Sequence, residues 1–339
     1  MKAVFFTGDR NVEVADTPDP TPGPGEVVIQ IKASGMCGSD LNTLRAPAGS
    51  RPRLIAGHEP CGIVAAVGPD VSPKQARVGD RVMDHHYSGC GVCIHCRDGW
   101  TQLCEDGSTV YGNTGHGSHA EYMLVPAYTC IPLPEELSFS AGAAISCGTG
   151  TAYGGLMRLG LSGRDTIAIF GQGPVGLSGT QLAAAMGARV ISLDIESSRR
   201  DAALGFGADA VIDPRAEDPV EALRELTGGR GVDCVLDCTS SAEARLQGAR
   251  ACKVWGRICY VGMGGEVTYD VSNDVIKKQL TIVGSWTFSQ NGQAECARFC
   301  VDRNIDVDAL FSHRWSLDEA PEAYVMFDRQ NTGKGVFEL

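Results

Sequence analysis

A chain of 339 residues, 43% hydrophobic and 21% charged, is long enough for two cored domains and is neither disordered nor fibrous. Its formal net charge of −12 argues against a nucleic-acid partner, because phosphate binding needs a basic surface. No run of 18 apolar residues occurs and the opening MKAVFFTGDRNVEV lacks a secretion-signal pattern. No membrane partner is therefore expected, and the 14 cysteines are expected to stay reduced in the cytoplasm.

The first 150 residues read as β-rich. Runs such as EVVIQIKAS (26–34), GIVAAVG (62–68) and DRVMDHH (80–86) are bounded by Gly, Pro and Asp, as strands joined by turns should be. Next comes CGVCIHCRDGWTQLC (90–104), in which Cys90, Cys93, Cys96 and Cys104 share one short loop, too short for a sensible pair of disulfides. Four closely spaced thiolates suit a closed tetrahedral zinc site, which leaves no open position for a substrate. The lobe 88–106 is therefore expected to be structural.

Further along, SCGTGTAYGG (146–155) holds Cys147, which taken alone reads equally as a small core residue. From about residue 165 the rhythm changes. The runs TIAIFG, RVISLD, DAVID, VDCVLDC, RICYVG and LTIVGSW alternate with helix-like segments such as VGLSGTQLAAAMGA and SRRDAALGFGA. That alternation predicts a parallel, doubly wound sheet. Its first unit carries the dinucleotide fingerprint: strand 166–170, then Gly171-x-Gly173-Pro174-Val175-Gly176 opening a helix. The first glycine permits the turn, the second lets backbone approach a pyrophosphate, and the third lets helix and strand pack closely. Asp194 ends the next strand, where an acid receives ribose hydroxyls and repels a 2′-phosphate, which favours NAD; Arg199 and Arg200 close behind blur that preference. Residues 285–339 return to mixed character and are expected to pack back on the first part. Cys296 and Cys300 have helical i, i+4 spacing and so share a face.

MCGSD (36–40) and GHEPCGIVAAVGPDV (57–71) carry a family resemblance. The second matches G-H-E-x2-G-x5-G-x2-V, the zinc signature of medium-chain, zinc-dependent alcohol dehydrogenases, and the lobe and fingerprint follow in family order. The resemblance spans essentially the whole chain. It implies an α/β protein with a GroES-like, β-rich catalytic domain (1–150 and 286–339) enclosing a Rossmann domain (151–285). It also implies two zinc ions per subunit and oxidation of an alcohol to a ketone or aldehyde, with hydride passing to NAD. By that resemblance Cys37, His58 and Cys147 ligate the catalytic zinc, and Glu59 is the acid beside it that exchanges with its water. Asp40 fixes the tautomer of the ligand histidine, and Ser39 first accepts the substrate proton. Thr151 resembles the residue against the nicotinamide, Val261 closes a later strand that reaches it, and the strand near 280–289 pairs across a two-fold axis, implying a homodimer or homotetramer.

Three departures stand out. The family histidine that ends the proton relay is Asn42 here, and an amide cannot serve as a terminal base. Two apolar walls of the substrate pocket are replaced by His86 and His119. If both face the substrate, a polar alcohol or polyol is expected; otherwise both point away and satisfy backbone groups. His85, His95, His116 and His313 read as surface or structural. An amino-alcohol oxidiser resembling threonine 3-dehydrogenase remains an alternative, as does an NAD-binding zinc protein without catalysis.

Overall fold

A computed structural model describes residues 1–330 and 333–339. The chain divides into two compact units, Met1–Gly150 with Ser289–Leu339, and Thr151–Phe288. No helix among the described residues is long and apolar enough to cross a membrane.

The second unit is a six-stranded parallel sheet in the order Ala210–Ile212, Arg189–Leu193, Thr166–Phe170, Val232–Asp237, Cys252–Tyr260, Thr281–Gly284. Its central strands read as unbroken β-branched and aliphatic runs because helices cover both faces. Ala168, Phe170, Ile191, Leu193, Val235 and Ile258 are buried in one core cluster. Each large aliphatic side chain buried in this way stabilises the unit by about 1.5–3 kcal/mol. The order reverses beside Thr166–Phe170, and in such sheets the crevice at that reversal receives a ligand.

The first unit is built on a seven-stranded, mainly antiparallel sheet. Its long strand Glu26–Gly35 pairs with Glu59–Val67 on one side, and with Tyr122–Pro126 and Lys334–Glu338 on the other. Register positions the chemistry. Gly35 lies opposite Glu59 and Ser34 opposite Pro60, so the turn carrying Cys37 and the turn carrying His58 emerge side by side. Val336 also lies opposite Gly35, which brings the strand bearing Lys334 to the same end. Cys147 sits between the helices Phe139–Ile145 and Gly148–Leu159. The preceding Ser146 donates its hydroxyl to Pro60 O at 2.8 Å, tying that corner to the start of the Glu59 strand.

Candidate active site and metal centres

The structure brings Cys37, His58, Glu59 and Cys147 together, with one ligand atom of each within 4.8 Å of the others. The Cys37 and Cys147 sulfurs are 3.9 Å apart. Two zinc–sulfur bonds of about 2.3 Å meeting at a tetrahedral angle give nearly that separation. A buried Glu59 carboxylate oxygen, Oε1, has no hydrogen-bond partner among the described residues. Two thiolates, one imidazole and an unsatisfied carboxylate oxygen make a donor set that fits zinc.

The surroundings prepare these groups. Asp40 Oδ1 lies 2.7 Å from His58 Nδ1, so the ring donates there and turns Nε2 toward the sulfurs. Burial opposes a charge on His58, but the Asp40 carboxylate and the Cys37 sulfur outweigh it and hold the ring well above its usual range. The Cys147 sulfur, foremost, and the His58 ring hold Cys37 well below the usual thiol range. The same contact and burial push Cys147 up. Ser39, exposed at the mouth, lies 3.3 Å from Cys37 Sγ and 3.2 Å from His58 Nε2. Asn42 is exposed as well.

A second cluster gathers Cys90, Cys93, Cys96 and Cys104. Backbone amides feed its sulfurs in turn: Cys90 N–H to Cys104 at 3.2 Å, Cys93 N–H to Cys90 at 3.3 Å, and Cys96 N–H to Cys93 at 3.5 Å. The Glu105 amide, foremost among such donors, holds the Cys93 thiol down at about 6. Four sulfurs with no further donor among them suit a closed zinc site. None of the 14 cysteines forms a disulfide.

In the second unit, Gly171 adopts φ +84°, and a Cβ on Gly176 would lie 1.7 Å from Gly171 O. Neither position tolerates a side chain. A Cβ on Gly173, in contrast, would meet nothing within 4 Å. That open backbone, followed by Pro174 and Val175 at an N-terminus with no side-chain cap, leaves room for a phosphate and donors for it. Asp194 stands alongside: Oδ2 accepts from Gln172 N–H at 2.6 Å and Oδ1 from Glu196 N–H at 2.8 Å. Arg199 Nη1 is 3.9 Å from the same carboxylate. Val261 follows the strand Cys252–Tyr260, and Thr151 is buried within Gly148–Leu159.

Comparison with known proteins agrees with this geometry. Residues 23–135 match the model for the alcohol dehydrogenase GroES-like domain, and residues 174–302 match the model for the zinc-binding dehydrogenase domain. The chain belongs to the zinc-binding alcohol dehydrogenase family. It is similar to the zinc-type alcohol dehydrogenase-like protein YphC of Escherichia coli K12, 37% identical over 100% of this chain and 99% of that one. An L-threonine 3-dehydrogenase of Pyrococcus horikoshii is 33% identical over 96% of this chain and 95% of its own. Among solved structures, a zinc-binding dehydrogenase from Sinorhizobium meliloti 1021 bound to NADP has a TM-score of 0.88 at 30% identity, covering 100% of this chain and 99% of that one.

Two features of this dehydrogenase differ from the sequence-based expectations. His86 is buried near the cluster of Cys37, His58 and Cys147, its ring centroid 5.3 Å from that of His58, with Nδ1 2.6 Å from Ser146 O. His119 does not line a substrate face. It is fully buried, with Nδ1 2.7 Å from Ser34 Oγ and Nε2 2.7 Å from Tyr324 Oη. Both ring nitrogens are committed within the core, so the polarity of His119 answers to Tyr324 rather than to a substrate.

The second feature is Lys334, which no sequence motif marked. Its Nζ lies 2.5 Å from Glu59 Oε2 and donates to Met36 O at 3.2 Å, with both side chains of the ion pair buried. Burial raises Glu59 to about 8 against the pull of Lys334. A lone lysine in an apolar strand has no spacing partner, so only the register of its strand exposes its role.

Burial pushes His119 down to about 4, with Asp40 opposing and His58 adding to the effect. Below its unfolded value of 6.5, the unfolded chain binds a proton that the folded chain refuses. The stabilisation is therefore complete above pH 6.5 and is lost as pH falls toward 4, by about 3 kcal/mol in all. Urea unfolding at pH 7 and pH 4.5 checks this. A double variant with His119→Phe and Tyr324→Phe should lose less stability over that interval, by about 2–3 kcal/mol; equal losses would contradict the assignment.

Proposed function

We propose that this dehydrogenase reversibly oxidises a polar secondary alcohol or polyol, using NAD, at a zinc ion held by Cys37, His58 and Cys147. The observation that carries the reading is the cluster of two thiolates and one imidazole, with Ser39 exposed beside it. When bound, zinc supplies a Lewis acid that eases loss of the hydroxyl proton, and the nicotinamide accepts the hydride. Ser39 Oγ takes the proton. Because Asn42 is an exposed amide and no base, Ser39 passes that proton to water. Glu59, tied to Lys334, supplies a carboxylate beside the metal that can exchange with water. The sulfurs of Cys90, Cys93, Cys96 and Cys104 hold a second, structural zinc.

NAD is favoured over NADP by Asp194, whose charge repels a 2′-phosphate. The neighbouring arginines are already engaged, Arg199 with Asp194 and Arg200 with Asp213. Reduced cysteines throughout support a cytoplasmic enzyme. The outer strand Thr281–Gly284 ends the parallel sheet, and Ile282 and Trp286 are 40% exposed. This supports pairing with a second copy, as a homodimer or homotetramer.

His86, buried with Nδ1 2.6 Å from Ser146 O and its ring centroid 5.3 Å from that of His58, supports a polar substrate. An alkyl chain beside this imidazole forfeits the hydrogen bonding that a hydroxylated chain supplies. The test is NADH formation across simple secondary alcohols, polyols, sugar acids and threonine. Turnover is expected to concentrate in the polar compounds, and His86→Phe should shift kcat/KM toward the simple alcohols by about tenfold or more. An unchanged ratio would remove His86 from the substrate wall. Similarity to an L-threonine 3-dehydrogenase over 96% of the chain supports a second reading, amino-alcohol oxidation, which turnover confined to threonine would establish. Silence across the panel with NAD still bound would instead point to a non-catalytic protein.

A further inference from the structure

Asp40, which orients His58, is itself held from behind by a buried chain of hydroxyl and imidazole groups. Tyr324 Oη lies 3.2 Å from Asp40 Oδ2 and 2.7 Å from His119 Nε2. His119 Nδ1 is 2.7 Å from Ser34 Oγ, which is 2.7 Å from Ser118 Oγ. All five side chains are buried.

The direction of every bond follows from one end. Asp40 accepts from His58 Nδ1–H at 2.7 Å and from Cys37 N–H at 2.9 Å, so its carboxylate acts as an acceptor and the Tyr324 hydroxyl donates to it. With its only proton spent, the Tyr324 oxygen must accept from His119 Nε2–H. That leaves Nδ1 as a lone pair accepting from Ser34, and Ser34 accepting from Ser118. All donors point toward Asp40. Its carboxylate thus takes three hydrogen bonds, from His58, Cys37 and Tyr324, and the first two of these residues are proposed zinc ligands.

We propose that Tyr324 and His119 are positioning residues of the metal centre. By aiming the Tyr324 hydroxyl at Asp40 they lock the carboxylate, and through it the His58 ring, in the orientation that turns Nε2 toward Cys37 and Cys147. The inference rests on the zinc assignment made above. The competing explanation is packing alone. Tyr324 packs against Phe6 with ring centroids 4.7 Å apart, and His119 packs against Phe337 at the same separation.

Substitution separates the two explanations. Tyr324→Phe keeps every ring contact but deletes the donor to Asp40 and leaves His119 Nε2–H without an acceptor. Adding His119→Phe removes that orphaned ring N–H, and the remaining deficit passes to the Ser34 hydroxyl, which loses its acceptor and keeps only Ser118 as a neighbour. The double variant should therefore regain part of the Tm lost in the single variant, yet Asp40 still lacks its donor.

The experiment is chelator competition on the purified zinc-loaded enzyme, with metal content counted per chain, together with the visible spectrum of the cobalt(II)-substituted protein. Both variants should release one metal equivalent at chelator concentrations about tenfold or more below those the wild type needs. The equivalent in the four-cysteine lobe should be retained, and the cobalt bands of the other site should shift. Release and spectrum matching the wild type in both variants would overturn the proposal. So would metal affinity that recovers together with Tm in the double variant, because that pattern belongs to packing. A wild type holding only the lobe equivalent would instead defeat the zinc assignment itself, and this inference with it.

Discussion

Replacing His58 with alanine should lower kcat/KM by at least about 1,000-fold, a loss of about 4 kcal/mol of transition-state stabilisation. The two sulfurs 3.9 Å apart would keep their places, but the imidazole that completes an open three-ligand site would be gone. Asp40 would be left with a cavity where it now accepts a hydrogen bond of 2.7 Å. Metal content should fall by one equivalent per chain, while the lobe built from Cys90, Cys93, Cys96 and Cys104 keeps its own. Retention of NADH formation within tenfold of the wild type would move the chemistry away from this cluster. The comparison matters because the lobe is also rich in thiolates. A variant that loses one metal and all turnover assigns the reaction to the other centre.

The second large effect concerns the glycine turn. Gly176→Ala places a Cβ 1.7 Å from a backbone oxygen, that of Gly171, so the main chain itself must move. NAD affinity should fall by at least about 100-fold, or about 2.8 kcal/mol, together with a lower Tm. Gly173→Ala makes an informative partner. Its Cβ meets nothing within 4 Å of the protein, so Tm should hold while NAD affinity drops, because the open space is where the backbone must meet the pyrophosphate. Isothermal titration with NAD and thermal unfolding distinguish the pair. Equal Tm losses would mean that Gly173 serves the fold rather than the cofactor.

The features legible in the sequence are those whose partners lie close along the chain. Four cysteines within 90–104, three glycines within 171–176, and Cys37 with Asp40 each carry their spacing on their face. The alternation from Thr166 onward announced the parallel sheet, because strands covered on both sides need continuous apolar runs. His119 was harder. Its sequence neighbours place it beside the expected substrate wall, and only the approach of Tyr324, 205 residues away, turns both its nitrogens into the core. Lys334 and Tyr324 were silent for the same reason. A single lysine in a strand, or one tyrosine on an amphipathic helix, acquires meaning only from a long-range pairing such as Val336 with Gly35. Gly57 illustrates the converse. Its φ of +83° looks like ordinary turn chemistry, yet a Cβ there would also strike the His119 ring at 2.3 Å, so one glycine answers two constraints.

The ion pair of Lys334 with Glu59 also orders events during synthesis. Cys37, His58, Glu59 and Cys147 leave the ribosome before any of the unit Thr151–Phe288 does, whereas Lys334 follows that whole unit. Until Lys334 arrives, Glu59 lacks its ion-pair partner and the strand pairing of Val336 with Gly35 cannot form. The emerging chain therefore carries Cys37 and Cys147 without the lysine that pairs with Glu59 for as long as the 186 residues between Cys147 and Lys334 take to be translated. The four-cysteine lobe, by contrast, is complete by residue 104. The residues of the lobe are thus all in the growing chain well before the strand Lys334–Glu338, which completes the surroundings of Cys37, His58 and Cys147.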